Sequence, residues 1–166
     1  MALEFHPINV DAHFAFCMAF RRDAYICTFH ADHGFSAFIA GYEARMRSRL
    51  VDPRWYYIHI WDDHRIIGQL EFKSFSDEPA TGYVHLMYII PDYRGSGVAD
   101  AAQRYIETRL QADGCQAALL TVGRKNERAR RHYRRWGWQL VGSDHTLRGT
   151  EIFRRLLPVL KESHPA

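Results

Sequence analysis

A mixed α/β domain built on one central twisted sheet, with about six to seven strands flanked by about four helices, is the fold class this sequence predicts. Three observations predict it. Runs rich in β-branched and aromatic residues recur through the middle and end of the chain. Segments with apolar residues three and four apart stand between them. Residues 82–90 form a long run that is apolar on both sides, as a strand at the centre of a sheet must be. The order reads β-α-α-β-β-β-α-β-α-β-β over the whole 166-residue chain, taken as one domain.

Residues 3–8 can form a short first strand. Residues 10–29 carry Phe14, Phe16, Phe20, Tyr25 and Phe29, with Asp11 placed to cap a helix. Residues 36–50 place Phe38, Ile39, Tyr42, Met46 and Leu50 at helical spacing, and Asp52-Pro53 stops that helix. Residues 55–61 are a strand by their β-branched and aromatic content. Asp62-Asp63-His64 turns the chain into a second strand over 65–75, forming a hairpin. Pro79 marks the next turn and Pro91 ends the central strand. Residues 95–110 read as a helix closed by Asp113-Gly114. A strand over 116–122, a helix over 126–136 with Gly137 after it, and closing strands over 138–142 and 150–156 complete the pattern.

Composition excludes several classes. Hydrophobic residues make up 47% and charged residues 25%, the values of a globular chain. No apolar run approaches the roughly 20 residues that span a bilayer, and the first residues lack a basic segment followed by an apolar one. Cys17, Cys27 and Cys115 are widely spaced, with no CxxC pair, so reduced thiols in the cytoplasm are expected. The formal charge of +3 is too mild to argue for nucleic acid. Arg124, Lys125, Arg128, Arg130, Arg131, Arg134 and Arg135 crowd together, as a solvated helix face, a phosphate-binding rim or a nucleic-acid patch would. His30 and His33 stand three apart but have no second pair near them, so no metal site is expected.

The main chemical signal runs from Tyr88 to Ala99, where a buried strand ends at Pro91 and a helix begins near Gly95. A helix N-terminus offers unpaired N–H groups and about half a positive charge, which together make an anion site. Gly95 and Gly97 remove side chains where a phosphate would approach the backbone. Ser96 can add a hydroxyl donor and Arg94 a permanent charge. Residues of this kind also suit an ordinary tight strand–helix turn. The loop is neither a Walker loop nor the dinucleotide fingerprint, since no Gly-Lys-Ser/Thr follows and Asp100 stands at the third glycine position. Downstream, Asn126, Ala129 and Tyr133 share one helix face. Asn126 can cap that helix, Ala129 leaves room for a ligand, and Tyr133 can donate a proton or simply bond the backbone.

Arg94, Gly97 and Ala99 resemble the Arg/Gln-x-x-Gly-x-Gly/Ala motif of the GNAT superfamily of N-acetyltransferases. Asn126, Ala129, Tyr133, Gly137 and Trp138 are similar to its Asn-x-x-Ala-x-x-x-Tyr-x-x-x-Gly-Phe, with Trp in place of Phe. The resemblance covers residues 82–142. It implies direct, acetyl-CoA-dependent acetylation of a primary amine on a small molecule or peptide. A coenzyme A-binding module without catalysis is the alternative. It implies Arg94, Gly95, Ser96, Gly97, Val98 and Ala99 at the pyrophosphate, main-chain groups of Met87 and Ile89 at the pantetheine and thioester, and Asn126, Ala129 and Tyr133 beside them. Tyr133 would be the general acid. Many members carry Glu four residues before the position of Ile89, where this chain has His85. His85 is therefore the candidate base, with Glu71 on the preceding strand as the second, and His85, Met87 and Ile89 are expected on one side of the strand. Arg124, Lys125 or Arg128 would meet the ribose phosphate. His30 and His33 would help wall the acceptor site. Residues 150–157 are apolar enough to permit a homodimer through the closing strands.

Overall fold

A computed structural model describes residues 1–159. Seven strands and five α-helices follow in the order β1 (Leu3–Pro7), α1 (Val10–Phe29), α2 (Phe35–Phe38), α3 (Tyr42–Arg49), β2 (Trp55–Asp62), β3 (Arg65–Lys73), β4 (Thr81–Ile89), α4 (Val98–Ala112), β5 (Ala117–Gly123), α5 (Glu127–Arg135), β6 (Gln139–Ser143) and β7 (Thr150–Leu156). The strands form one sheet in the order β1-β2-β3-β4-β5-β7-β6. The pairing of β4 with β5 is parallel and the rest antiparallel. The mixed sheet and its central strand are therefore as predicted. Among the described residues no helix is long and apolar enough to cross a membrane.

Local chemistry moves several boundaries. Asn9, not Asp11, caps α1: its side chain accepts from the Ala12 N–H at 3.2 Å. The single helix expected over residues 36–50 is two. Gly41 adopts a φ of 77°, a left-handed conformation that a helix cannot contain, so the one-turn α2 ends before it and α3 starts after it. The closing strand β7 lies between β5 and β6, which occupies both of its edges; the free edge at this end of the sheet belongs to β6, whose residues are exposed.

Two layers of helix cover the sheet. On one face Cys17 of α1, Phe35 and Tyr42 pack with Met46 and Tyr57. On the other, Ile106 and Leu110 of α4 join Leu70, Phe72 and Val84. Asp100 of α4 clasps α5, accepting from Trp136 Nε1 at 2.7 Å and Arg135 Nη2 at 3.1 Å.

The feature that positions the site is a break in the sheet. The β4–β5 ladder runs only from Thr81↔Ala117 to Val84↔Leu120. Beyond it, residues 85–89 and 121–123 are strands without each other as partners. Helix α1 closes the gap at the far end of β5, where a Cβ on Gly123 would lie 2.7 Å from the Thr28 carbonyl oxygen. Backbone on both sides leaves nothing free to yield. Gly123→Ala should therefore lower stability by about 1–3 kcal/mol, read as a lower urea midpoint at unchanged m-value; an unaltered midpoint would refute that close approach.

Candidate active site

A cavity of about 990 Å³ fills the parting between β4 and β5 and is lined from both faces of the sheet. Backbone groups line one side of it. The Ile90 N–H donates to the Ile67 carbonyl at 2.9 Å, on the β3 side. Strand groups alternate, so the N–H groups of Met87 and Ile89 face the gap instead. The Ile89 carbonyl does face it, accepting from Arg94 Nε at 2.9 Å.

Side chains do not follow the simple alternation expected of His85, Met87 and Ile89. Opposite Glu71 and Phe72, β4 carries an extra residue: Glu71 pairs with Leu86 and Phe72 with Val84, leaving His85 unpaired in a β-bulge. The bulge puts His85 on the α1–α3 face, where its ring lies 4.7 Å from Tyr83 and 5.4 Å from Trp55. Met87 pairs with Leu70 and Ile89 with Gly68, so both point to the α4 face, opposite His85.

The loop from residue 94 to 97 forms an open nest. Gly95 and Gly97 have φ of 76° and 92°, and a Cβ on either would meet nothing within 4 Å. Gly97 is the N-cap of the 15-residue α4, which leaves the N–H groups of the first turn without helical acceptors. Val98 is fully buried and anchors that turn beneath the nest, while Ala99 lines the cavity. Arg94 is not a free cation. Its Nη2 donates to Asp23 at 3.0 Å, and Tyr88 donates to the same carboxylate at 2.5 Å. Ser96 likewise spends its hydroxyl on the Tyr93 carbonyl. The nest's free donors are thus main-chain groups.

Helix α5 faces the cavity with Asn126, Ala129 and Tyr133. Asn126 caps it, accepting from the Ala129 N–H at 3.3 Å. The Tyr133 ring is buried against Trp138. Burial pushes its phenol above the ordinary value, so it is a protonated donor at neutral pH. Of the basic run, Arg128 lines the cavity but Arg124 and Lys125 do not. Arg124 donates to Ser143 at 2.7 Å. Arg131, one turn beyond Arg128 and unsingled in the sequence, also lines the cavity; its spacing on the helix was the available signal.

Glu71 is differently placed from His85. It is 1% exposed, does not line the cavity, and accepts from Arg21 at 2.5 and 3.1 Å, Tyr42 at 2.6 Å and Gln69 at 2.7 Å. Burial opposes the Arg21 charge, but Glu71 more than offsets it and holds the guanidinium above its ordinary value. Gln69 extends the network, accepting from His59 Nε2 at 2.8 Å. Glu71 is thereby fully occupied as the centre of a buried network. His85 makes no side-chain hydrogen bond among the described residues and stands in the cavity wall. Its ring is exposed to the cavity; the enclosing walls, then the charges of Lys73, Arg21 and Arg49, lower its imidazole below the ordinary value. It is neutral at neutral pH.

The histidines expected at the acceptor wall are elsewhere. His30 bonds the Lys125 carbonyl at 3.2 Å, and neither His30 nor His33 lines the cavity. Tyr25, Phe29 and Phe38 do, with Tyr42 and Arg45 beside them. The loop between β6 and β7 adds Asp144, which accepts from Thr121 Oγ1 at 2.9 Å. No group of three or more His, Cys, Asp or Glu that could hold a metal occurs among the described residues.

Known proteins resemble this chain in sequence and in fold. Residues 17–138 match the model of the acetyltransferase (GNAT) family. An uncharacterised N-acetyltransferase of Mycobacterium tuberculosis is 29% identical over 100 residues, covering 60% of this chain and 63% of that protein. The match thus spans less than two thirds of that relative's length. N-alpha-acetyltransferase 30 of Schizosaccharomyces pombe is 28% identical over 114 residues, covering 61% of this chain and 76% of that one. Among solved structures, PaiA N-acetyltransferase from Thermoplasma acidophilum, in complex with coenzyme A, superposes with a TM-score of 0.77 at 13% identity, covering 94% of this chain and 99% of that one. YncA from Salmonella typhimurium, with acetyl-CoA, gives 0.71 at 11% identity over 100% and 99%. At these identities the likeness speaks for the fold.

Two outcomes test the buried groups. Glu71→Gln leaves Arg21 buried without its counter-charge and should cost about 3–5 kcal/mol, measured by urea unfolding; a loss confined to activity, with stability intact, would contradict the structural role. Burial holds both His59 and His132 down to about 4. Below pH 6.5 the unfolded chain takes up protons that the folded one refuses. Stability should therefore fall as pH drops from 6.5 to about 4, by up to about 1.4 kcal/mol per pH unit for each histidine. Unfolding midpoints that stay level across that window would count against it.

Proposed function

The chain belongs to the GNAT acetyltransferase family, and on that premise we propose that it transfers the acetyl group of acetyl-CoA directly to a primary amine of a small molecule or peptide. The observation that carries this reading is a single cavity holding three elements. They are the α4 nest, the unpaired N–H groups of β4 and the Tyr133 phenol.

The nest fits a pyrophosphate. Its donors are backbone N–H groups at a helix N-terminus, and the glycines leave that side open. Arg94 then acts as a positioning residue, tying the loop to the end of β4 and to Asp23 of α1. Arg128 and Arg131 are the cations placed for the ribose phosphate. The pantetheine lies along β4 like an added strand, using the backbone of Met87 and Ile89. The Ile89 N–H meets the thioester oxygen as negative charge develops there. Ala129 leaves room for the chain on α5.

The amine nitrogen attacks the thioester carbon and the carbon–sulfur bond breaks. Tyr133 gives its phenolic proton to the departing sulfur. The amine must lose a proton to attack. His85 takes that role, since it is neutral, unbonded and open to the cavity, whereas Glu71 lies outside the cavity and is bonded to Arg21, Tyr42 and Gln69. A cysteine nucleophile is not needed. Burial raises the Cys17 thiol to about 12, and Cys27 has Arg128, not a base, as its hydrogen-bond partner.

Titration calorimetry should detect acetyl-CoA binding, and thiol release with a panel of amines should detect turnover. Binding without release for any amine would favour the non-catalytic module. Tyr133→Phe should lower kcat by about 10²-fold while acetyl-CoA binding persists. His85→Ala should do the same on the order of 10²-fold; full activity in either variant would remove that residue from the mechanism.

A further inference from the structure

The acceptor half of the cavity carries an unbalanced charge. Tyr42, Arg45 and Arg49 line it from one face of α3. Neither Arg45 nor Arg49 has an acidic partner among the described residues. The contrast with their neighbour is informative: Arg47, on the outer face of the same helix, pairs with Asp11 at 2.8 Å and lies 3.9 Å from Glu43. The other arginine on this side of the wall, Arg21, is neutralised by Glu71.

The two unpaired arginines are held in place without being consumed. Arg49 lies over the Trp55 ring at 4.0 Å and donates one N–H to the Tyr57 hydroxyl at 3.0 Å. Arg45 donates one N–H to the Ala40 carbonyl at 2.7 Å. A guanidinium has five donors in a planar fork, so most of each fork is left over. Lys73 adds a third charge behind them, 5.2 Å from the same Trp55 ring. Against these, the cavity wall has two carboxylates among the described residues. Asp100 is taken up by Arg135 and Trp136. Asp144 stands on the β6–β7 loop with Thr121 and Thr146 bonded to it.

We propose, resting on the acyl-transfer reading, that the acceptor is a primary amine that also carries a carboxylate, which Arg45 and Arg49 bind. Asp144 faces the ammonium end. Planar, forked recognition of a carboxylate is what a pre-stacked arginine does better than any other side chain. The base gains as well. Lys73 and Arg49 help depress His85, and a carboxylate bound beside them offsets part of that charge, restoring the imidazole's appetite for a proton.

The test uses the full chain with acetyl-CoA and matched acceptors: free amino acids against their carboxamides, and short peptides with an aspartate against the same peptides with asparagine. The carboxylate form should be favoured in kcat/KM by on the order of tenfold to a hundredfold. The first pair succeeding points to a free amino acid, the second to an acidic peptide; either supports the proposal. Arg49→Gln should erase most of the preference through the acceptor KM, with the acetyl-CoA KM unchanged. Arg45→Gln, at an exposed position, should do so with an unaltered melting temperature. Equal turnover of carboxylate and carboxamide, preference for a polyamine, or a preference surviving both substitutions would overturn the proposal while leaving acyl transfer standing. Absence of thiol release with every amine would overturn acyl transfer, and this proposal with it.

Discussion

Everything functional in this molecule depends on one unfinished ladder. Strands β4 and β5 pair in parallel as far as Val84 and Leu120 and then part. Neither strand is free to follow the other, because β4 is held by β3 on its far side and β5 by β7. A sheet interior normally pairs all its N–H groups, and unpaired buried ones cost free energy. Here the parting exposes donors of β4 to a cavity instead. The same gap lets residues from both faces of the sheet meet around one ligand, which an intact sheet would keep apart.

The bulge at His85 is the second half of that device. With strict alternation, His85 would share a face with Met87 and Ile89, beside α4. The extra residue turns it toward α1 and α3, into the acceptor half of the cavity. The backbone groups that would meet the thioester and the imidazole that would meet the amine thus come from one strand, two and four residues apart, yet would serve opposite sides of the reacting bond. Glu71, one strand away, is bound into a network with Arg21, Tyr42 and Gln69 that fixes α1 and α3 to the sheet. Its charge serves the scaffold.

The elements are legible in the sequence because their causes are local. β-Branched and aromatic runs mark the strands, Asn126 and the glycines mark the ends of α4 and α5, and the spacing of Asn126, Ala129 and Tyr133 marks their shared face. The nest is legible for the same reason. What fails to show is set by distant partners. The Arg94 side chain reads as a phosphate ligand until Asp23, far away in the chain, is brought to it. The run from Tyr83 to Ile90 gives no sign of a bulge, since hydrophobic residues occupy both parities. Arg45 and Arg49 look like an ordinary solvated helix face; only the fold shows that they look into a cavity and Arg47 does not. Asp144 sits in a polar loop with no pattern to distinguish it.

Helix α1 is shared between the two halves of the cavity. Asp23 anchors the glycine loop through Arg94, while Tyr25 and Phe29 line the cavity where the proposed acceptor would sit. A change on this helix that suits a new acceptor also shifts the anchor of the nest, so the two properties are hard to vary separately there. The β6–β7 loop makes no hydrogen bond to the nest among the described residues, and on α3 the load falls on Tyr42, which is bound to Glu71, while Arg45 bonds the Ala40 carbonyl just before its own helix. If Arg45 and residues 144–147 meet the acceptor as proposed, they are the places where its choice can change with least effect on the common chemistry, whereas a change at Arg49 also alters the charge felt by His85.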